Sequence, residues 1–139
     1  MSISVILDTN IFISGIFWEG NLCSEIIDAW RDERLILITS LELIKELVDT
    51  LQDFKIEMPE DTIEAWRKSI MENAILVSPT EKLDIVKNDP QDNKFFEVAI
   101  AGKAQYLVSQ DKKHILSIPE FRGVKTLSPE EFVKILNAL

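Results

Sequence analysis

The stretch Ser4-Val5-Ile6-Leu7-Asp8-Thr9-Asn10 decides how the rest of the chain is read. An apolar run this short, rich in β-branched residues, reads as a strand over residues 4–7. It has no alternating polar positions, so both of its faces are expected to be buried, as in a parallel sheet covered by helices. The run stops abruptly at Asp8, and residues 8–10 read as a polar break. A carboxylate placed directly after a buried strand has no ready access to solvent, which marks Asp8 for a purpose other than solubility.

Further along, apolar strands alternate with helical patterns. Residues 21–31 place Leu22, Ile26, Ile27 and Trp30 at helical spacing, and 35–38 form a second strand. Thr39-Ser40-Leu41-Glu42 matches a capping box, with Leu43, Leu47 and Leu51 continuing one helical face. A helix with Pro59 at its start runs to residue 73, followed by a third strand at 74–77 and a loop at 78–88. Asp89-Pro90-Gln91-Asp92 then combines an N-cap residue, a proline at the first helical position and an acid at the third. It opens a helix to about residue 103. Residues 106–108 and 124–127 are the fourth and fifth strands, and Ser128-Pro129-Glu130-Glu131 caps a closing helix. Strands separated by helices predict an α/β fold, with right-handed crossovers. The expected architecture is a three-layer α/β/α sandwich around a central parallel sheet of four to five strands.

The 139 residues fit one domain, 1–139, and 46% hydrophobic with 28% charged residues is a globular balance. Cys23 is the only cysteine, so no internal disulfide forms, and a core position in a reducing compartment is expected. The N-terminus reaches Asp8 too early for a secretory leader, and no apolar run approaches the ~20 residues of a membrane span. A cytoplasmic location and no membrane association are expected. The net charge is −9, and residues 1–80 hold six Lys/Arg against fifteen Asp/Glu. This balance argues against a broad electrostatic nucleic-acid binder. It leaves room for an enzyme that meets phosphates through bound cations.

In such a sheet, ligands bind beyond the carboxyl ends of the strands. Asp8 follows the first strand, Asp111 the fourth, and Asp92 opens a helix that starts at the same edge. Glu46 lies six residues beyond Ser40, ~9 Å into its helix, close enough to lean back. Structural alternatives exist for each: Asp89 as an N-cap, Asp92 as a dipole partner, Glu42 as a capping-box acid, Glu46 as a solvated helix residue. Four converging carboxylates would repel one another unless a divalent cation joined them. Oxygen ligands favour Mg²⁺ or Mn²⁺, and one His with one Cys cannot build a typical zinc site. His114 alone excludes paired-histidine catalysis and is expected as a surface residue or a satisfied helix residue. No Walker A, G-x-S-x-G or G-x-G-x-x-G sequence occurs. Metal-assisted hydrolysis of a phosphodiester remains.

These segments resemble the PIN-domain family of ribonucleases, and within it the toxins of toxin–antitoxin pairs, over essentially the whole chain. Val5-Ile6-Leu7-Asp8-Thr9-Asn10 is similar to the family's opening strand with Asp-Thr-Asn. Ser40-x-Glu42-Leu43-x-x-Glu46-Leu47, Asp89-Pro90-x-Asp92-Asn93-Lys94-Phe95 and Leu107-Val108-Ser109-Gln110-Asp111 are similar to its later acidic segments, and Leu127-Ser128-Pro129-Glu130-Glu131-Phe132 to its closing helix start. The resemblance implies Mg²⁺- or Mn²⁺-dependent cleavage of single-stranded RNA, with Asp8, Glu46, Asp92 and Asp111 as catalytic metal ligands. It implies Thr9, Asn10 and Ser109 as hydrogen-bonding groups that orient those ligands. It also implies a homodimer and a cognate antitoxin. Family members often carry a further Asp where this chain has Lys113, which leaves one or two metal ions open.

Lys94, Lys112 and Lys113 are candidates for steering the RNA backbone. Trp18, beside Phe17 in an expected loop, is a candidate for partner or dimer contact, or for packing within the chain. A non-catalytic RNA- or protein-binding module that keeps the fold is the second reading. A phospho-acceptor domain is a third, ranked low because it expects paired acids where Asp8 is followed by Thr9.

Overall fold

The computed structural model describes residues 3–139. Met1 and Ser2, part of the N-terminus read above, lie outside the described residues. The opening run forms β1 (Ile3–Leu7), and both of its neighbours are parallel: β2 (Leu35–Thr39) on one side and β4 (Tyr106–Val108) on the other. β2 continues to the short β3 (Ile75–Leu76), and β4 to β6 (Val124–Leu127). With β5 (Glu120–Phe121) at the edge beyond β6, the order is β3-β2-β1-β4-β6-β5. The chain therefore winds away from β1 in both directions, and the crevice between β1 and β4 is the switch point where such sheets bind ligands.

Side chains alternate across the sheet with the period of 2 that a strand imposes. Ile3, Val5 and Leu7 join one core with Leu35, Leu37 and Val108. This layer is covered by α1 (Thr9–Phe17), α2 (Leu22–Arg31), α6 (Pro129–Asn137) and the inner faces of α3 (Leu41–Asp53) and α4 (Glu60–Asn73). Ile6, Ile38 and Leu107 face the other way, against Phe95, Phe96, Val98 and Ala99 of α5 (Asn93–Gly102). This is the expected three-layer arrangement.

Two elements go beyond the expectation. β5 (Glu120–Phe121) adds a sixth strand, antiparallel to β6. The hairpin turns through Arg122 and Gly123, both at positive φ, and glycine adopts that geometry without a Cβ penalty. The supposed polar break after β1 is the start of α1. Asp8 has extended backbone angles at its N-cap, but its side chain makes no capping bond. The capping near residue 40 also differs. Thr39 is the last residue of β2, and Ser40 is the N-cap, its Oγ accepting from Leu43 N at 3.2 Å. The full capping box occurs instead at Ser128 and Glu131, as read.

α1 and α2 pack at close range around Gly15. A Cβ on Gly15 would lie 2.8 Å from the Cys23 carbonyl oxygen and 2.8 Å from Ile27 Cγ1. The first contact is backbone and cannot swing aside, so Gly15→Ala must push the helices apart. The strain outweighs the ~1 kcal/mol that alanine gains in helix propensity. We expect Gly15→Ala to lose about 2 kcal/mol in urea unfolding, and a wild-type midpoint would refute the packing argument.

Candidate active site

The end of β1 is tied to β4 by Asp8 N–H, which donates to the Val108 carbonyl at 3.0 Å. This brings Asp8 and Ser109 side by side at the carboxyl edge. Ser109 Oγ donates to Asp8 Oδ2 at 2.6 Å, and Asn10 Nδ2 donates to the same oxygen at 3.1 Å. Ser109 Oγ also accepts the Asp111 N–H at 2.9 Å, so one hydroxyl links two of the acids. Asp8 is 7% exposed. Burial pushes its carboxyl up to about 6; the Ser109 bond opposes this, and the nearby Glu46 charge adds to it.

Glu46 projects from α3 toward this edge. Thr9 Oγ1 donates to its Oε2 at 2.5 Å, and the Lys94 ammonium pairs with Oε1. Lys94, a candidate for steering RNA, is thus turned inward from α5, with its side chain only 14% exposed. The sequence could not show this, because the pair joins residues 48 apart.

Asp92 ends a single 3₁₀ turn (Pro90–Asp92) that leads into α5. It is the most perturbed acid of the site. Desolvation comes first, then repulsion from Asp89, Asp8 and Asp111, which together lift it to about 7. Its neighbour Asp89 holds the N-cap position of this turn, as read, but caps through its backbone: its carbonyl oxygen accepts the Asp92 N–H at 3.0 Å, and its side chain makes no cap bond. The segment ahead of this turn is pinned by α5. Asn93 Oδ1 accepts the N–H groups of Ile85 and Val86, and the Glu97 carboxylate accepts that of Leu83.

Asp111 faces a different neighbour. Its Oδ1 accepts the N–H groups of Lys113 and His114, and Oδ2 lies 3.1 Å from His114 Nδ1. Burial raises its pKa, but the His114 N–H and ring outweigh that and hold the carboxyl below its usual range. His114 sits in a turn and is half-buried rather than on the surface. Asp89, Asp92 and His114 each offer a ligand atom within 4.8 Å of the others. Asp89 and His114 are therefore candidate ligands beyond those that the sequence pattern marks. The one signal for His114 was its position three residues after Asp111.

Asp8, Thr9, Asn10, Glu46 and Asp92 line an open cleft of about 540 Å³, with Trp18 at its far end. Asp111 is not part of that lining; its carboxylate meets the Asp92 carboxyl and the His114 ring. Lys112 is exposed and borders a separate hollow beside Gln110, and Lys113 is exposed. The carboxylates form a chain of mutually repelling groups, Glu46 to Asp8 to Asp92 to Asp111, with Asp89 beside Asp92. Such a set of oxygens can hold a divalent cation, which would relieve that repulsion.

The fold and this edge place the chain in a defined class. Its sequence matches the PIN domain over residues 4–113, and the protein belongs to that family. A relative from Methanocaldococcus jannaschii, uncharacterized protein MJ1680, is 26% identical over 149 residues, covering 96% of this chain and 92% of its own length. The structure of VapBC2 from Rickettsia felis bound to a DNA fragment from the promoter aligns with TM-score 0.60 and 15% identity, over 91% of this chain and 98% of that one. VapBC-1 from nontypeable Haemophilus influenzae aligns with TM-score 0.60 and 16% identity, over 92% and 99%. At this identity the two structures establish the shared fold. No helix among the described residues is long and apolar enough to cross a membrane.

Proposed function

We propose that this protein is a metal-dependent endoribonuclease that cuts single-stranded RNA, acting in the cytoplasm as the toxin of a toxin–antitoxin pair, with a homodimer as its working form. The observation that carries the proposal is the convergence of Asp8, Glu46 and Asp92, from β1, α3 and the turn before α5, on one cleft at the carboxyl edge of the sheet; the raised pKa values of Asp8 and Asp92 are the expected result of that crowding and burial. Membership of the PIN family and the VapBC neighbours support the nuclease and antitoxin parts of this reading.

The donor set fits a hard divalent cation, Mg²⁺ or Mn²⁺. Asp8, Asp92 and Asp111 would hold it, with Glu46 as a further ligand or as the base. When bound, it supplies a water of lowered pKa and neutralises charge on a phosphoryl oxygen. Ser109 and Asn10 keep Asp8 aimed into the cleft, and Thr9 does the same for Glu46. In the role of base, Glu46 would take the proton of the attacking water, and Lys94, now paired with Glu46 Oε1, would be close enough to neutralise the carboxylate or meet the phosphate. Lys112 and Lys113 lie outside the cleft and bear on longer substrates.

Wild-type protein is expected to cleave single-stranded RNA in Mn²⁺, to stop in EDTA and to leave a duplex of the same sequence intact. A second reading rests on the Lys94–Glu46 pair and the Asp111–His114 contact, which already satisfy two of the four acids internally. It is a non-catalytic RNA- or protein-binding module. Mn²⁺ binding by calorimetry without any cleavage would replace the nuclease with this module.

A further inference from the structure

We propose that Trp18 is a stacking platform for a nucleobase of the single-stranded substrate, at the end of the cleft opposite the acids. The proposal rests on the nuclease reading for the chemistry of the ligand. Trp18 follows α1 directly and is 44% exposed. It borders the same cleft as Asp8, Glu46 and Asp92. α1 begins at Thr9, beside Asp8, and Trp18 follows its last residue, so the backbones at the two ends of the helix are ~14 Å apart along its axis. A base held on it belongs to a nucleotide some way along the strand from the phosphate at Asp92.

The indole is held in place. Phe54, at the end of α3, stacks on Phe17 with ring centroids 4.6 Å apart, and both rings meet Trp18 edge-on at 6.1 Å. An aromatic fixed in this way loses little freedom when a base lies on it. The charge of the protein points to the same mode of binding. A cleft lined by Asp8, Glu46 and Asp92, in a chain of net charge −9, draws little affinity from phosphates. Stacking on an aromatic face is independent of that charge and accepts any base. Bases in a duplex are not available for it, so this platform selects single strands.

The test is fluorescence anisotropy with a labelled, non-cleavable 2′-O-methyl single-stranded oligonucleotide in Mn²⁺. Trp18→Ala is expected to weaken binding about tenfold. Trp18→Phe, which keeps an aromatic face, stays within about threefold of wild type. An oligonucleotide with abasic positions loses affinity for wild type at one of them and loses nothing further against Trp18→Ala. The proposal is overturned if Trp18→Ala binds like wild type, if abasic positions weaken both proteins equally, or if wild type does not bind the oligonucleotide. It is also overturned if Trp18→Ala loses only a protein partner and keeps the oligonucleotide. Cleavage of RNA by wild type at saturating concentration is read separately. Its absence removes the nuclease reading while a Trp18-dependent affinity still stands.

Discussion

Asp92→Asn is expected to lower RNA cleavage about 1,000-fold and, in the same protein, to raise the melting temperature measured in EDTA at pH 8. The first effect follows from position. Asp92 is repelled by Asp89, Asp8 and Asp111 alike, so it is the acid that joins the two ends of the site. Losing its charge removes a ligand from the middle of the set. A thousandfold loss corresponds to ~4 kcal/mol of transition-state stabilisation, in keeping with the several kcal/mol that a bound cation contributes. The second effect follows from cost. Desolvation and three neighbouring carboxylates make the Asp92 charge unfavourable in the folded chain. An amide of the same shape carries no charge and can still donate to Asp111. An inactive variant that melts above wild type in EDTA is a signature that general misfolding cannot produce. Equal cleavage by Asp92→Asn and wild type would remove Asp92 from the centre.

In EDTA, stability should fall as the pH rises from 5 to 8, and Mn²⁺ should abolish most of that fall. An ordinary aspartate has its pKa near 3.8, whereas Asp8 sits at about 6 and Asp92 at about 7 in the folded chain. Between these values the folded form holds protons that the unfolded form has already released. Raising the pH through this window therefore favours unfolding, and the effect levels off above about 8. About one unit of the displacement of Asp8, deeply buried, lies above pH 5, which is ~1.4 kcal/mol. Asp92 has about two units above pH 5 but is partly open to water and coupled to Asp8, so after screening ~3 kcal/mol is a fair total over this window. Asp111 works in the opposite sense, since its pKa is depressed, and acts only at lower pH. The melting temperature in EDTA at pH 8 should lie roughly 10 °C below that at pH 5. Saturating Mn²⁺ adds stability by mass action and selects the ionised acids, so its benefit grows with pH. A flat profile in EDTA would contradict the crowding of these carboxylates.

The sequence pattern located the strands and the acids for one physical reason: buried parallel strands are continuous apolar runs, and a carboxylate at the end of one stands out. α1 escaped the same reading. Its sequence, Thr9-Asn10-Ile11-Phe12-Ile13-Ser14-Gly15-Ile16-Phe17, buries Ile11, Phe12 and Ile13 in succession and reduces its polar side to Thr9, Asn10 and Ser14, too few to set a helical period. β5 is two residues long and exists through its pairing with β6, which no local preference encodes. Asp8, with Asn10 and Ser109 around it, lies where the strand ends placed it. The pairing of Lys94 with Glu46 depends on how α3 and α5 approach each other, and the turn that carries His114 has no periodic pattern. Trp18 lies beyond the end of α1 and in no strand, as its sequence predicts, while its order comes from Phe54, 36 positions along the chain.

Asn93 and Glu97 do for residues 83–86 what a neighbouring strand would otherwise do, by accepting the main-chain N–H groups of Leu83, Ile85 and Val86. The consequence is an uneven tolerance to changes of length. Before Leu83 the connection from β3 can gain or lose residues cheaply, because lengthening a free loop adds only a few tenths of a kcal/mol. From Leu83 to Asp92 a single insertion would shift every later side chain relative to its anchor. A one-residue insertion is therefore expected to leave the melting temperature nearly unchanged just after the third strand and to lower it between Leu83 and Asp92.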